Sequence, residues 1–110
     1  DVRVGKNTWI GPNVVLDGTA GLEIGDFCSI SAGVQIYTHN TVNWSTTMGE
    51  EPAETASTKI GNGVYIGPNS IIQMGVTVED KSVIGAMSFV NKDVNHSEKV
   101  FGCPARPSLS

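Results

Sequence analysis

The sequence predicts an all-β protein whose short parallel strands wind around a three-sided prism, on three grounds. Aliphatic residues recur every six positions, glycine often follows them, and the composition suits pleated strands, with thirteen Val and nine Ile against three Leu beside thirteen Gly. The periodic aliphatics are Val4, Ile10 and Leu16, then Ile24, Ile30 and Ile36, then Ile60, Ile66, Ile72, Val78, Ile84 and Val90. Val, Ile and Leu fill 25 of the 110 positions, so twelve blind matches have a chance of about 2 × 10⁻⁸. The period is a structural repeat.

A six-residue unit is too short to bury its own aliphatic. Three such units make a coil that points three aliphatics at a common axis, and stacked coils share one core while pairing as parallel strands roughly 4.8 Å apart. The first coil is expected over residues 4–21 and the second over 24–41, with a two-residue slip at Leu22 and Glu23 between them. Small or β-branched residues four places after the aliphatics, among them Thr8, Cys28, Val34, Val64, Ser70 and Ser88, turn the corners. Residues 42–57 have no six-residue period, carry Glu50, Glu51 and Glu54 and are broken by Pro52, so one long inserted loop is expected there. The third and fourth coils follow at 60–77 and 78–95, after which residues 96–110 cap the stack or leave it. Residues 1–110 read as a single domain.

A net charge of −4, with 39% hydrophobic and 16% charged residues, is too apolar and too weakly charged for a disordered chain. No apolar run is long enough to span a bilayer, and no Lys or Arg cluster offers a footprint to nucleic acid or an anionic membrane, so neither partner is expected. Cys28 and Cys103 lack metal-ligand spacing and follow no signal peptide, which reads as reduced thiols in a cytoplasmic protein. Among the outward positions Trp9, Tyr65 and Val83 share one face, and Val15, Ile71 and Phe89 the next. Apolar columns on two faces point to self-association, and a closed homotrimer suits a three-sided prism.

The hexads IGPNVV, IGNGVY and IGPNSI, the run VIGAMSFVNKDV and the tail GCPARP resemble the hexapeptide-repeat acyltransferases, specifically the sugar, polysaccharide and xenobiotic O-acetyltransferases. The likeness covers nearly the whole chain and is most specific from Lys59 to Pro107. It implies that the coils, about four of them, form a left-handed parallel β-helix, that the chain is a trimer, and that acetyl-CoA lies in a groove between neighbouring prisms. It further implies a general base near the junction of the second coil with the insertion, where His39 stands in IYTHNT. A hydroxyl is a poor nucleophile at neutral pH; imidazole, titrating at about 6.5 in general, can take its proton during attack on the thioester, with no covalent enzyme intermediate. No acidic residue stands beside His39 in the sequence, which leaves a backbone carbonyl to orient the ring.

The resemblance also puts the donors for the tetrahedral oxyanion on backbone amides of the third coil, here Gly67-Pro68-Asn69. Proline has no N–H, so Gly67, Asn69 or a water must serve. For acetyl-CoA it points to the backbone at Gly85 and Ala86 for the pantetheine arm, and to Asn91, Lys92 and Arg106 for the phosphate end. The charge map agrees: residues 1–58 carry two basic and seven acidic groups, whereas 59–110 carry five basic and four acidic, the half a polyanion prefers. Trp44 either stacks on a sugar acceptor or pins the insertion to the prism. The zinc site of gamma-class carbonic anhydrases needs three histidines; with only His39 and His96, the latter read as a surface residue, no metal site is expected. The rival from another class is a non-catalytic left-handed β-helix oligomer or inactive acyltransferase relative, to which Pro68 and the short stack lend weight.

Overall fold

A computed structural model describes residues 1–107, and its strands lie on three faces. The first face stacks Val2–Val4, Leu22–Ile24, Thr58–Ile60 and Thr77–Val78. The second stacks Trp9–Ile10, Ser29–Ile30, Tyr65–Ile66, Val83–Ile84 and Lys99–Gly102, and the third Val15–Leu16, Gln35–Ile36, Ile71–Ile72 and Phe89–Val90. All of these neighbours are parallel, and the registers place each periodic aliphatic on its counterpart. Val4 lies under Ile24, Ile60 and Val78; Ile10 under Ile30, Ile66 and Ile84; Leu16 under Ile36, Ile72 and Val90.

From Ile24 upward these columns are buried, but Val4 and Ile10 remain 42% and 38% exposed. The sequence puts both in the core; they differ because the first coil is stacked on one side only. Ile66→Ala, with a strand above and below, should lower the unfolding free energy by about 2–5 kcal/mol in urea denaturation, and Ile10→Ala by much less. Equal losses would mean that the end coil is as tightly packed as the centre.

Side chains from one coil secure the corner of the coil beneath. At the corner between the first and second faces, Asp26, Asn62 and Asp80 each present an Oδ1 that accepts the N–H of Lys6 (2.9 Å), Asp26 (2.8 Å) and Asn62 (2.8 Å) respectively. Gly5, Gly25 and Gly61 lie against those oxygens, where a Cβ would come within 2.2–2.3 Å. The glycine that follows the aliphatic at this corner therefore makes room for a side-chain oxygen from the coil above.

The repeat does not stop at residue 95. Val94 bridges Val78, and Lys99–Val100 pairs with Val83–Ile84, 16 residues on in both cases. Two residues are dropped, which moves Val94 and Val100 out of the six-residue frame while keeping both in the core. Ala105–Pro107 then folds back antiparallel on Lys99–Gly102 and closes that end; the last three residues of the expected tail lie outside the described residues. The insertion leaves the prism through an antiparallel ribbon of His39–Asn40 with Glu54–Thr55 and contains one short helix, Val42–Thr46. Among the described residues no helix is long and apolar enough to cross a membrane.

Candidate active site

His39 stands where the third face ends and the insertion departs, its backbone fixed by the ribbon pairing with Thr55. Its Nδ1 lies 2.5 Å from Oδ2 of Asp17, a residue of the coil beneath, and the two side chains are 34% and 10% exposed. The ring is thus oriented by a carboxylate, and not by a backbone carbonyl as the sequence reading has it. An ionised carboxylate only accepts hydrogen bonds, so Nδ1 carries a proton, and in the neutral ring the lone pair is on Nε2. Among the described residues Nε2 makes no hydrogen bond.

Asp17 is itself tightly held. Its Oδ1 accepts from the Thr19 hydroxyl at 2.6 Å and the Thr19 amide at 3.1 Å, and its Oδ2 from the amide of the fully buried Thr38 at 2.8 Å. Desolvation pushes the carboxyl up, but the Thr19 hydroxyl, the Thr38 amide, the His39 ring and the Thr19 amide outweigh it and hold Asp17 well below the usual carboxylate range. Asp17 therefore stays charged beside His39, able to stabilise an imidazolium when one forms.

At the expected oxyanion corner the backbone N–H groups are already taken. Gly67 N–H bonds to Ile84 O at 2.8 Å and Asn69 N–H to Ala32 O at 3.0 Å, both as rungs of the ladder, with Pro68 between them. Gly85 N–H is likewise taken by Val100 O at 2.9 Å, whereas the neighbouring Ala86 is exposed and its N–H has no partner among the described residues. At the far end Arg106 Nη1 donates to Asn91 Oδ1 at 3.0 Å, bringing together two residues 15 apart in sequence, while Lys92 is exposed nearby in the chain. Asp17, Tyr37, Gln73 and Asn91 form one column at the corner of His39, each amide bonding up to the carbonyl of Ile36, Ile72 or Val90 in the case of the first three. Gly67 and Ala86 lie at the opposite edge of the third face.

Trp44 sits in the short helix, 54% exposed, with its indole nitrogen against the turn at Gly49. His96 lies exposed beyond the fourth coil, Nδ1 3.0 Å from its neighbour Ser97 Oγ. Cys28 and Cys103 are unbonded; Cys28 is buried, which raises its thiol, and contacts Gly61 O at 3.0 Å. A cleft of about 310 Å³ lies on the first face between Arg3, Glu23 and Lys59.

Two family models match this chain: "Bacterial transferase hexapeptide (six repeats)" over residues 57–92 and "Hexapeptide repeat of succinyl-transferase" over residues 1–38. The chain belongs to the hexapeptide-repeat acyltransferase family. It is 33% identical to the galactoside O-acetyltransferase of Escherichia coli K12, over 96% of this chain and 52% of that protein, and 33% identical to a chloramphenicol acetyltransferase of Morganella morganii, over 82% and 51%. The chain thus spans about half the length of these relatives. Among solved structures, a hexapeptide-repeat acetyltransferase of Vibrio cholerae complexed with acetyl-CoA superposes with a TM-score of 0.88 at 34% identity, over 99% of this chain and 60% of that one. A maltose O-acetyltransferase of Clostridium difficile 630 gives 0.88 at 32% identity, over 97% and 57%.

In a hexapeptide-repeat chain, neighbours in space lie one coil apart in sequence, so the residues beside His39 in the sequence do not reveal Asp17. It is 22 residues from His39, the length of a coil plus the slip and the offset within the corner. Counting back one turn, rather than scanning the residues beside His39, would have found it.

Proposed function

We propose that this protein transfers an acetyl group from acetyl-CoA to a hydroxyl of a sugar, polysaccharide or similar small acceptor, with His39 as general base and Asp17 holding it. The observation that carries this is the clamp on Nδ1, which leaves Nε2 as the basic nitrogen at a partly exposed corner. The acceptor oxygen attacks the thioester carbon as its proton passes to Nε2. The carbonyl electron pair moves to oxygen, then returns as the C–S bond breaks, and the imidazolium gives its proton to the departing CoA thiolate. The relatives support this reading, being named acetyltransferases of galactoside, maltose and chloramphenicol, one of their kind with acetyl-CoA bound.

The left-handed sense of the coils, the homotrimer and a cytoplasmic location belong to the same reading. Trimerisation is supported by position: the Ala86 edge and the His39 edge of one chain are separated by the whole third face, roughly 20 Å of extended strand. A second copy would bring its own His39 edge to the Ala86 edge of the first, and Trp9, Tyr65 and Val15 remain exposed on the second and third faces to join them. On this reading Ala86 meets the pantetheine arm, Asn91, Lys92 and Arg106 the phosphates, and Trp44 the acceptor.

Titrating acetyl-CoA should raise the melting temperature, by several degrees once the ligand exceeds its Kd about a hundredfold. A screen of hydroxylated acceptors, read by release of free thiol, then identifies the acceptor. A folded protein showing no shift at millimolar acetyl-CoA would overturn the enzymatic reading in favour of a non-catalytic assembly.

A further inference from the structure

Acyl transfer needs hydrogen-bond donors for the oxygen that becomes negative, and at the corner of Gly67, Pro68 and Asn69 the third coil has no free backbone N–H. At the corner between the second and third faces, the second residue after each aliphatic is Pro12, Ala32, Pro68 and Ala86 in successive coils. Their carbonyls behave alike: those of Pro12, Ala32 and Pro68 accept from Gly33 (3.0 Å), Asn69 (3.0 Å) and Met87 (2.9 Å) of the coil above. Their nitrogens do not. At the preceding corner the equivalent N–H groups are covered by Asp26, Asn62 and Asp80. Here no Asp or Asn stands above them, the two prolines have no N–H, and the N–H groups of Ala32 and Ala86 make no hydrogen bond among the described residues.

Ala32 differs from Ala86 in two respects. It belongs to the second coil, the coil of His39, so in an assembly of parallel prisms its amide stands level with a neighbour's imidazole. It also follows Ser31, which replaces the glycine found at this place as Gly11, Gly67 and Gly85. The Ser31 amide is committed to Ile66 O at 3.0 Å, while its hydroxyl makes no hydrogen bond among the described residues. An amide and a hydroxyl on adjacent residues, both without partners, form a pair of donors that no other coil of this chain possesses at this corner.

We propose that the Ser31 hydroxyl and the Ala32 amide form the oxyanion hole, facing His39 of a neighbouring copy and replacing the donor that Pro68 removes. This deepens the acetyl-transfer reading and rests on it. As the acceptor's oxygen bonds to the thioester carbon, the carbonyl pair settles on the oxygen held by Ser31 and Ala32 of one chain. The acceptor's proton settles on Nε2 of the other chain's His39. Return of that pair breaks the C–S bond, and the proton leaves with the thiolate.

The column supplies its own variants, because Ser31→Gly and Ala32→Pro write the Gly-Pro of the first and third coils into the second. Ala32→Pro should lower kcat, read as thiol release from acetyl-CoA with the best acceptor of the screen, by about 10²- to 10³-fold while the Kd for CoA holds. Ser31→Gly should cost about tenfold. In the unmodified protein labelled with ¹⁵N-alanine, acetyl-CoA should shift the Ala32 amide resonance and CoA, which lacks the acetyl carbonyl, should not; this reading stands even where a variant folds poorly. A folded Ala32→Pro protein with unchanged kcat, or an Ala32 resonance that responds alike to both ligands, overturns the assignment. A parent protein that neither binds CoA nor releases thiol instead removes the acetyl-transfer reading itself, and this proposal with it.

Discussion

Replacing His39 with Ala should lower turnover of acetyl-CoA by about 10²- to 10⁴-fold and leave CoA affinity nearly intact. The split between the two follows from geometry. His39 occupies the acceptor side of the proposed site, where the nucleophile loses its proton, and takes no part in holding pantetheine or phosphate. Its removal should disturb the fold little, because Asp17 keeps its bonds to the Thr19 hydroxyl, the Thr19 amide and the Thr38 amide. The measurement is therefore kcat by thiol release beside the thermal shift with CoA. Unchanged turnover would refute the base assignment, and a lost CoA shift would mean that His39 serves the cofactor and not the acceptor.

The fold was legible in the sequence because each hexad repeats the same physical demand, an inward aliphatic and a tight corner. Val78, Ile84 and Val90 could be placed by counting alone, and their registers agree. Counting failed where the count itself changes. Between Val90 and Val94 two residues are dropped, so Val94 and Val100 enter the core out of frame. The site was legible in part for a related reason. His39 is marked by the insertion it precedes, a feature of the linear sequence, whereas the Asp17 contact is made only by stacking coils. At Gly67 and Asn69 the backbone N–H groups are consumed by the stacking of coils, and no residue type announces which amides a ladder will use.

Asp17→Asn should lower kcat by about 10- to 100-fold, less than loss of the imidazole, since the amide oxygen still accepts from Nδ1–H and preserves the tautomer while the charge that stabilises the imidazolium is gone. The same substitution should destabilise the fold by about 1–3 kcal/mol at pH 7, because an amide NH₂ must now face the Thr19 N–H or the Thr38 N–H, each a donor. The pH dependence separates charge from shape. Asp17 has a depressed folded-state pKa, so the stability it contributes is fully present above the ordinary aspartate value of about 3.9 and is lost as pH falls through the lower folded value. The gap between the parent protein and Asp17→Asn in urea denaturation should accordingly narrow as pH falls below 4. A gap that is the same at pH 7 and pH 3 would show that Asp17 acts through packing alone, and the electrostatic role assigned to it beside His39 would fail with that result.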